Sequence, residues 1–258
     1  MSRLPIVASA CARSDVGKSR STNEDYFALR PEWGLYLVAD GMGGHGNGEV
    51  ASRLATLSVC ESLEALPQRS RSSKSRDQPP ADELRNALER ANQAVFEAVE
   101  ENEELSGMGA TMVAMVFAGT TAAVAHVGDS RAYRLRGGAL ERLTNDHTWV
   151  EQQVSAGELS ENEARNHPFR NVVTRALGGE ARLVVDLASH DVRTGDLFLL
   201  CTDGLTAVLD DDDILGHLGE SADLDSRCAA LIAAANKGGG PDNVTVALIS
   251  FSDADATF

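Results

Sequence analysis

Gly109 to Thr144 reads GATMVAMVFAG, TTAAVAHVGDS, RAYRLR, Gly137-Gly138, ALERLT. Runs rich in Val, Thr, Ala and Met, cut by glycines, have the length and composition of β-strands. Gly-Gly between two alternating runs is a hairpin signal, because both residues enter the left-handed region without strain. A meander of antiparallel strands therefore sits in the middle of the chain. Working outward, Leu4 to Ala12 reads as a first strand. It resembles a secretory leader only faintly, with one Arg before a very short apolar run. Leu35 to Ala39 (LYLVA) is a strand that runs into Asp40-Gly41, and a helix follows from about Gly48 with Val50, Leu54 and Leu57 on one face. A second helix lies between Pro80 and Ser106, where Leu84, Leu88, Ala91, Val95 and Val99 recur at helical spacing.

Downstream, Asn145 to Arg182 is a polar, partly helical insert in which Ser160 and Glu163 have the spacing of a capping box. Strands resume at Leu183 to Leu187 and Leu197 to Cys201, a helix is expected near Ser226 to Ala235, and Val244 to Ser250 is a closing strand. Hairpins and meanders, rather than strict βαβ repeats, predict an α+β sandwich of mainly antiparallel sheets, with two helix groups to cover them. One domain is expected over 1–258. Residues 67–80 (PQRSRSSKSRDQPP), basic and without apolar side chains, are expected to form a mobile loop.

The 258 residues carry 23 Lys and Arg against 39 Asp and Glu, a formal charge of -16. Such a field disfavours nucleic acid and anionic membrane as partners, unless bound cations reverse the potential locally. The four cysteines, Cys11, Cys60, Cys201 and Cys228, are far apart in sequence, which fits a reducing cytoplasm better than a disulfide framework. No apolar segment approaches the ~20 residues that span a bilayer.

Among many carboxylates, three are singled out by position. Asp40 ends LYLVAD before Gly41, Asp203 ends LFLLCTD before Gly204, and Asp242 precedes a strand in GGPDNVTV. Asp129, in HVGDSR, ends a fourth strand-like run. Each stands where a buried strand meets a loop, so they are expected to crowd at one sheet edge. Crowded carboxylates require protons or bridging cations, and an all-oxygen set suits Mg²⁺ or Mn²⁺. Gly41 to Gly46 also satisfies G-x-G-x-x-G, but Asp40 before the first glycine would repel a pyrophosphate, and the chain some twenty residues on is still helical. The six histidines lack metal-ligand spacing, which leaves a zinc hydrolase unsupported, and no G-x-S-x-G or Cys-His signature marks a nucleophile.

Seven segments together, RSTNED (Arg20 to Asp25), VADGMGGH (Val38 to His45), GATMVA (Gly109 to Ala114), HVGDSR (His126 to Arg131), TNDHT (Thr144 to Thr148), CTDGL (Cys201 to Leu205) and GGPDNVTV (Gly239 to Val246), resemble in order the motifs of PP2C-type (PPM) metal-dependent serine/threonine phosphatases, in their bacterial spelling. The resemblance spans about Ala8 to Ile249. It implies a four-layer α-β-β-α sandwich with two Mn²⁺ or Mg²⁺ ions at one end and a third, weaker ion. It also implies hydrolysis of phosphoserine and phosphothreonine by a water activated on the dinuclear centre.

By position, Asp40 would bridge the two ions, Gly41 would give one its carbonyl, and Asp203 and Asp242 would complete the other. Glu24, Asp25 and Asn243 would act from the second layer, the two acids holding waters on the ions. Asp129, with Asp203, would hold the third ion. Arg20 would clamp the substrate phosphate, a task for which a planar guanidinium is better shaped than an ammonium. His45 is the candidate acid for the leaving group, since Met42 stands where eukaryotic relatives have a His. The insert at about 145–182 would be a flap beside the site.

The resemblance further implies a monomer acting on phosphorylated proteins, among them a Ser/Thr kinase and its substrates. Two other functions are weighed. A phosphoprotein-binding regulator of the same fold would have no need for Asp40, Asp203, Asp242 and Arg20 together. A nucleotide phosphodiesterase is opposed by the net charge and by the lack of an aromatic-lined basic groove.

Overall fold

The computed structural model describes residues 5–44, 46–64, 80–219 and 222–254. Ten strands form two five-stranded sheets in which every pairing is antiparallel. The first sheet has the order β1 (Ile6–Asp15), β10 (Val244–Asp253), β9 (Leu197–Cys201), β6 (Arg131–Arg136), β7 (Ala139–Arg142). The second has the order β2 (Asp25–Arg30), β3 (Leu35–Met42), β4 (Gly109–Ala118), β5 (Thr121–Val127), β8 (Asp186–Asp191). Helices α1 (Asn47–Leu63) and α2 (Ala81–Glu101) cover the second sheet. The first is covered by α6 (Asp211–Gly219) and α7 (Leu224–Lys237). The expected sandwich is therefore present.

Three apolar layers explain why the central strands are apolar at nearly every position although the sheets are antiparallel. In β3, Leu35, Leu37 and Ala39 face the helices, while Tyr36 and Val38 face the opposite sheet. In β4, Ala110, Met112, Ala114 and Val116 face the helices, while Val113 and Met115 meet Phe198, Leu200 and Ile249 of the other sheet. With both faces covered, the alternation of a half-solvated strand disappears. Each buried Leu, Ile, Val, Met or Phe among them contributes about 1.5 to 3 kcal/mol by its burial.

At the Gly-Gly hairpin, Arg136 pairs with Ala139, and both glycines have positive φ, 58° and 83°. That is the geometry of a two-residue turn whose twist matches its strands.

Two expectations need correction. Helix α1 does not turn Val50 and Leu57 inward, since they are 43% and 40% exposed. Its buried face is Gly48, Ala51, Ser52, Ala55, Thr56, Val59, Cys60 and Leu63. This helix packs closely on α2 and β3, so small side chains occupy the contact and the larger ones are displaced outward. The strand expected at Leu183 to Leu187 begins only at Asp186, and Val184 is left exposed. Strand β2 and helix α6 carried no sequence expectation.

Between β7 and β8 the insert holds α3 (Trp149–Ser155) and α4 (Glu161–Arg165), the latter opened by the Ser160 and Glu163 capping box. Its end is anchored by Asn92, a buried amide on α2 that accepts from Gly178 N–H at 2.8 Å and donates to Glu180 O at 2.9 Å. Apart from Pro80, the stretch 67–80 lies outside the described residues.

Candidate metal centre

Strand register brings the acidic residues together. Asp25 of β2 is the direct partner of Asp40 of β3, which in turn faces Thr111 of β4. Asp40 continues the row of Tyr36 and Val38, and Asp25 the row of Phe27 and Leu29. At this end of the inter-sheet layer, carboxylates thus replace hydrocarbon. The other sheet approaches the same rim with Thr202 and Asp203 after β9 and with Asp242 and Asn243 before β10. Asp129 follows β5. Asp203 opens α5 (Asp203–Thr206), a single turn.

The hydrogen bonds show which oxygens are already used. Asp25 Oδ2 accepts from Thr202 Oγ1 at 2.9 Å and from Thr245 Oγ1 at 2.7 Å. With that proton committed, Ser14 Oγ donates to Thr245 Oγ1 at 2.7 Å and itself accepts from Asn23 Nδ2 at 2.8 Å. Asn243 ties the Arg20 to Asp25 segment down: its Oδ1 accepts from Glu24 N–H at 2.8 Å, and its Nδ2 donates to Val16 O and Thr22 O at 2.9 and 2.8 Å. Glycines close the corner. A Cβ on Gly41 would lie 1.9 Å from Gly48 O, and one on Gly204 would lie 1.9 Å from Asn243 O. Each Asp-Gly pair therefore exists because backbone packs directly on backbone there.

Two buried carboxylate oxygens, Asp25 Oδ1 and Asp203 Oδ1, have no hydrogen-bond partner among the described residues. Burial, and then the neighbouring acids, push Asp25 up to about 7 and Asp129 up to about 8. Asp40 is raised well above the usual carboxylate range by burial and by Asp203, Asp25 and Asp129, and Asp203 is raised by burial and by Asp242. Asp40 and Asp203 are close enough that each perturbs the other's ionisation. Unpaired buried oxygens, mutual repulsion and an all-oxygen donor set fit hard divalent cations.

Carboxyls with raised folded-state pKa values stabilise the metal-free fold at low pH, and that contribution is lost as pH rises through about 7 to 8. Divalent cations held at this rim would replace those protons. The gain in Tm from Mn²⁺ should therefore grow with pH, to about twice its pH 5.5 value by pH 8. A gain that falls over this range in calorimetry would contradict the reading.

Two arginines stand near the rim, in different states. Arg131 is locked, its Nη2 on Asp146 Oδ2 at 2.7 Å and its Nη1 on Tyr133 Oη at 3.0 Å, while Tyr133 donates to Asp211 Oδ1 at 3.1 Å. Arg20 is half exposed and has one bond among the described residues, Nη2 to Asp242 Oδ2 at 2.8 Å. It has donors to spare for an anion. Of the expected site residues, Arg20, Glu24, Asp25, Asp40, Gly41, Asp129, Asp203, Asp242 and Asn243 all belong to this rim. His45 lies outside the described residues. The hydroxyls of Ser14, Thr202 and Thr245 had no sequence expectation, although Thr202 adjoins Asp203 and Thr245 stands two residues after Asn243. From Asp129 and Asp203 a cleft of about 690 Å³ runs between the insert, at Arg165, Arg170 and Asn171, and the acidic Asp210 and Asp213.

Comparison with known proteins agrees with this geometry. The family model described as protein phosphatase 2C matches residues 17–238. The serine/threonine protein phosphatase PstP of Mycobacterium tuberculosis is 39% identical over 260 residues, covering 99% of this chain and 47% of PstP, so the chain spans about half the length of that relative. The serine/threonine phosphatase stp of Listeria welshimeri is 35% identical, over 92% of this chain and 93% of its own. The crystal structure of the PstP catalytic domain in complex with two manganese ions superposes with a TM-score of 0.85 at 36% identity, covering 96% of this chain and all of that one. With the match covering most of the chain and the identities well above 30%, the chain belongs to the protein phosphatase 2C family.

Proposed function

We propose that this protein hydrolyses phosphoserine and phosphothreonine monoesters in proteins, using Mn²⁺ or Mg²⁺ held by Asp40, the Gly41 carbonyl, Asp203 and Asp242, with Asp129 and Asp203 serving a third, weaker ion. The observation that carries the proposal is the convergence of buried, partnerless carboxylate oxygens on one rim, beside an arginine with free donors. Bound there, the ions supply an activated water and neutralise charge on the phosphoryl oxygens.

The chain does the rest. Glu24 and Asp25 shape the rim from behind, Asp25 being oriented by the two threonine hydroxyls. Arg20 clamps the phosphate with a charged fork. The insert, at about 145–182, serves as a flap, and the flanks of a phosphorylated segment lie in the cleft it walls. Among the described residues no helix is long and apolar enough to cross a membrane, and all four cysteines are free, which supports a cytoplasmic site of action. The substrates on this reading include a Ser/Thr kinase and its targets, and the enzyme acts as a monomer forming one domain.

Phosphate release from phosphothreonine peptides, with a nucleotide diester as control, tests the substrate class. Turnover on the peptide alone is expected, and peptide binding without release would return the chain to the regulator class. Arg20→Ala should raise KM about tenfold with a smaller change in kcat, because a phosphate clamp acts in ground and transition states alike. An unchanged KM would remove Arg20 from the substrate site.

A further inference from the structure

His147 opens the insert, and its side chain is 5% exposed. Its backbone N–H donates to Gly128 O at 2.9 Å, and its ring Nδ1 accepts from Gly128 N–H at 3.1 Å. One residue thus satisfies both backbone polar groups of Gly128, the residue before Asp129. Gly128 has φ of 97°, and a Cβ there would lie 2.3 Å from Thr111 Cβ, so the corner is also pressed against β4. From the other side, Thr174 N–H, at the far root of the insert, donates to His147 O at 2.7 Å.

Acceptance at Nδ1 fixes the tautomer: the ring proton is on Nε2, which faces Asp186 Oδ2 at 3.3 Å, while Arg175 Nη1 holds Asp186 Oδ1 at 2.7 Å. His126 stacks on the ring at 4.6 Å and donates its own Nε2–H to Asn145 O at 2.7 Å. His126, His147 and Asp186 bring ligand atoms within 4.8 Å of one another, as a metal site would. A cation on His147 Nε2 would have to displace that proton while Nδ1 is already accepting, and it would meet the Arg175 guanidinium on Asp186. The cluster therefore orients the His147 ring rather than offering it as a metal ligand. Burial, together with His126, pushes the imidazole down to about 4, so the ring is neutral near pH 7, as acceptance requires.

We propose that His147 is a positioning residue for the phosphatase reaction: its two bonds to Gly128 set the corner from which Asp129 enters the carboxylate rim. This rests on the reading that Asp129 serves the centre. It differs from a mere packing role in depending on one atom, Nδ1, whose place an asparagine Oδ1 can take and a glutamine side chain cannot.

The test compares His147→Asn, His147→Gln and His147→Ala with Asp129→Ala as control, on a phosphothreonine peptide at saturating Mn²⁺, together with hydrogen exchange of the Gly128 amide in metal-free protein. In the Asn variant, Gly128 should stay protected and kcat should remain within about threefold of the parent. In the Gln and Ala variants, Gly128 should exchange at least about tenfold faster, and kcat should fall roughly 10- to 100-fold with KM within about twofold. An Asn variant no better than Ala would overturn the proposal, as would normal turnover with an unprotected Gly128. If Asp129→Ala loses turnover while the Gln and Ala variants keep it, only the role of His147 falls. If Asp129→Ala keeps full turnover, that role and the reading of Asp129 fall together.

Discussion

Asp40→Asn should lower kcat on phosphopeptides by about three orders of magnitude or more at saturating Mn²⁺, while the metal-free protein melts at or above the parent temperature. The two halves of this result have one cause. Asp40 lies opposite Asp25 and near Asp203 and Asp129, so its charge repels its neighbours in the absence of cations. An amide keeps the shape and removes the repulsion, but it cannot supply the anionic ligand on which charge neutralisation at phosphorus depends. A fall in activity accompanied by a fall in metal-free Tm would point instead to a structural role. Near-normal turnover would remove Asp40 from the proposed set of metal ligands.

The layers could be read from the sequence because Leu35 to Ala39 and Gly109 to Phe117 are apolar at almost every position, and turn glycines such as Gly137 and Gly138 fall between runs. The rim could be read because each acid is the residue at which such a run stops. Asp40 lies near the end of β3 and Asp203 just after β9, each beside a glycine, and Asp242 just precedes β10. What stayed hidden has a common physical reason, which is that it depends on contacts between segments distant in sequence. The inward face of α1 is made of Gly48, Ala51, Ser52 and Ala55, which a hydrophobicity rule ranks below Val50 and Leu57. Only the closeness of α2 and β3 reverses that order. Thr202 and Thr245 serve Asp25 across some two hundred residues of chain, and a hydroxyl has no periodicity to betray it. For His147 the informative partner is a backbone amide, which carries no signal in the sequence.

Asp129→Ala is the second large effect. Its carboxyl is buried beside Asp203 and Asp146, with Arg131 near but committed to Asp146, so it has a raised affinity for protons or cations and no side-chain hydrogen bond among the described residues. A site of few carboxylates and several waters should be weak, because Mn²⁺ and Mg²⁺ give up hydration reluctantly. The variant should keep its two tightly bound ions and lose kcat on phosphothreonine peptides by about 100-fold. On p-nitrophenyl phosphate the loss should be several-fold, since an acidic leaving group needs little proton delivery. Equal losses on the two substrates would argue against assistance to the leaving group. An unchanged Mn²⁺ activation curve would make Asp129 a structural carboxylate in the turn before Arg131.

The central claim is that oxygen-ligated divalent cations, and no side-chain nucleophile, carry the reaction. Phosphate release from a phosphothreonine peptide is therefore to be followed with protein stripped by EDTA, and again after Mn²⁺ is added back to the same sample. The account requires no detectable turnover in the stripped protein and recovery of the full rate on reloading, with no phosphorylated protein accumulating at any stage. Full turnover in the stripped protein, or a phosphoenzyme that forms and decays at the rate of turnover, would contradict it.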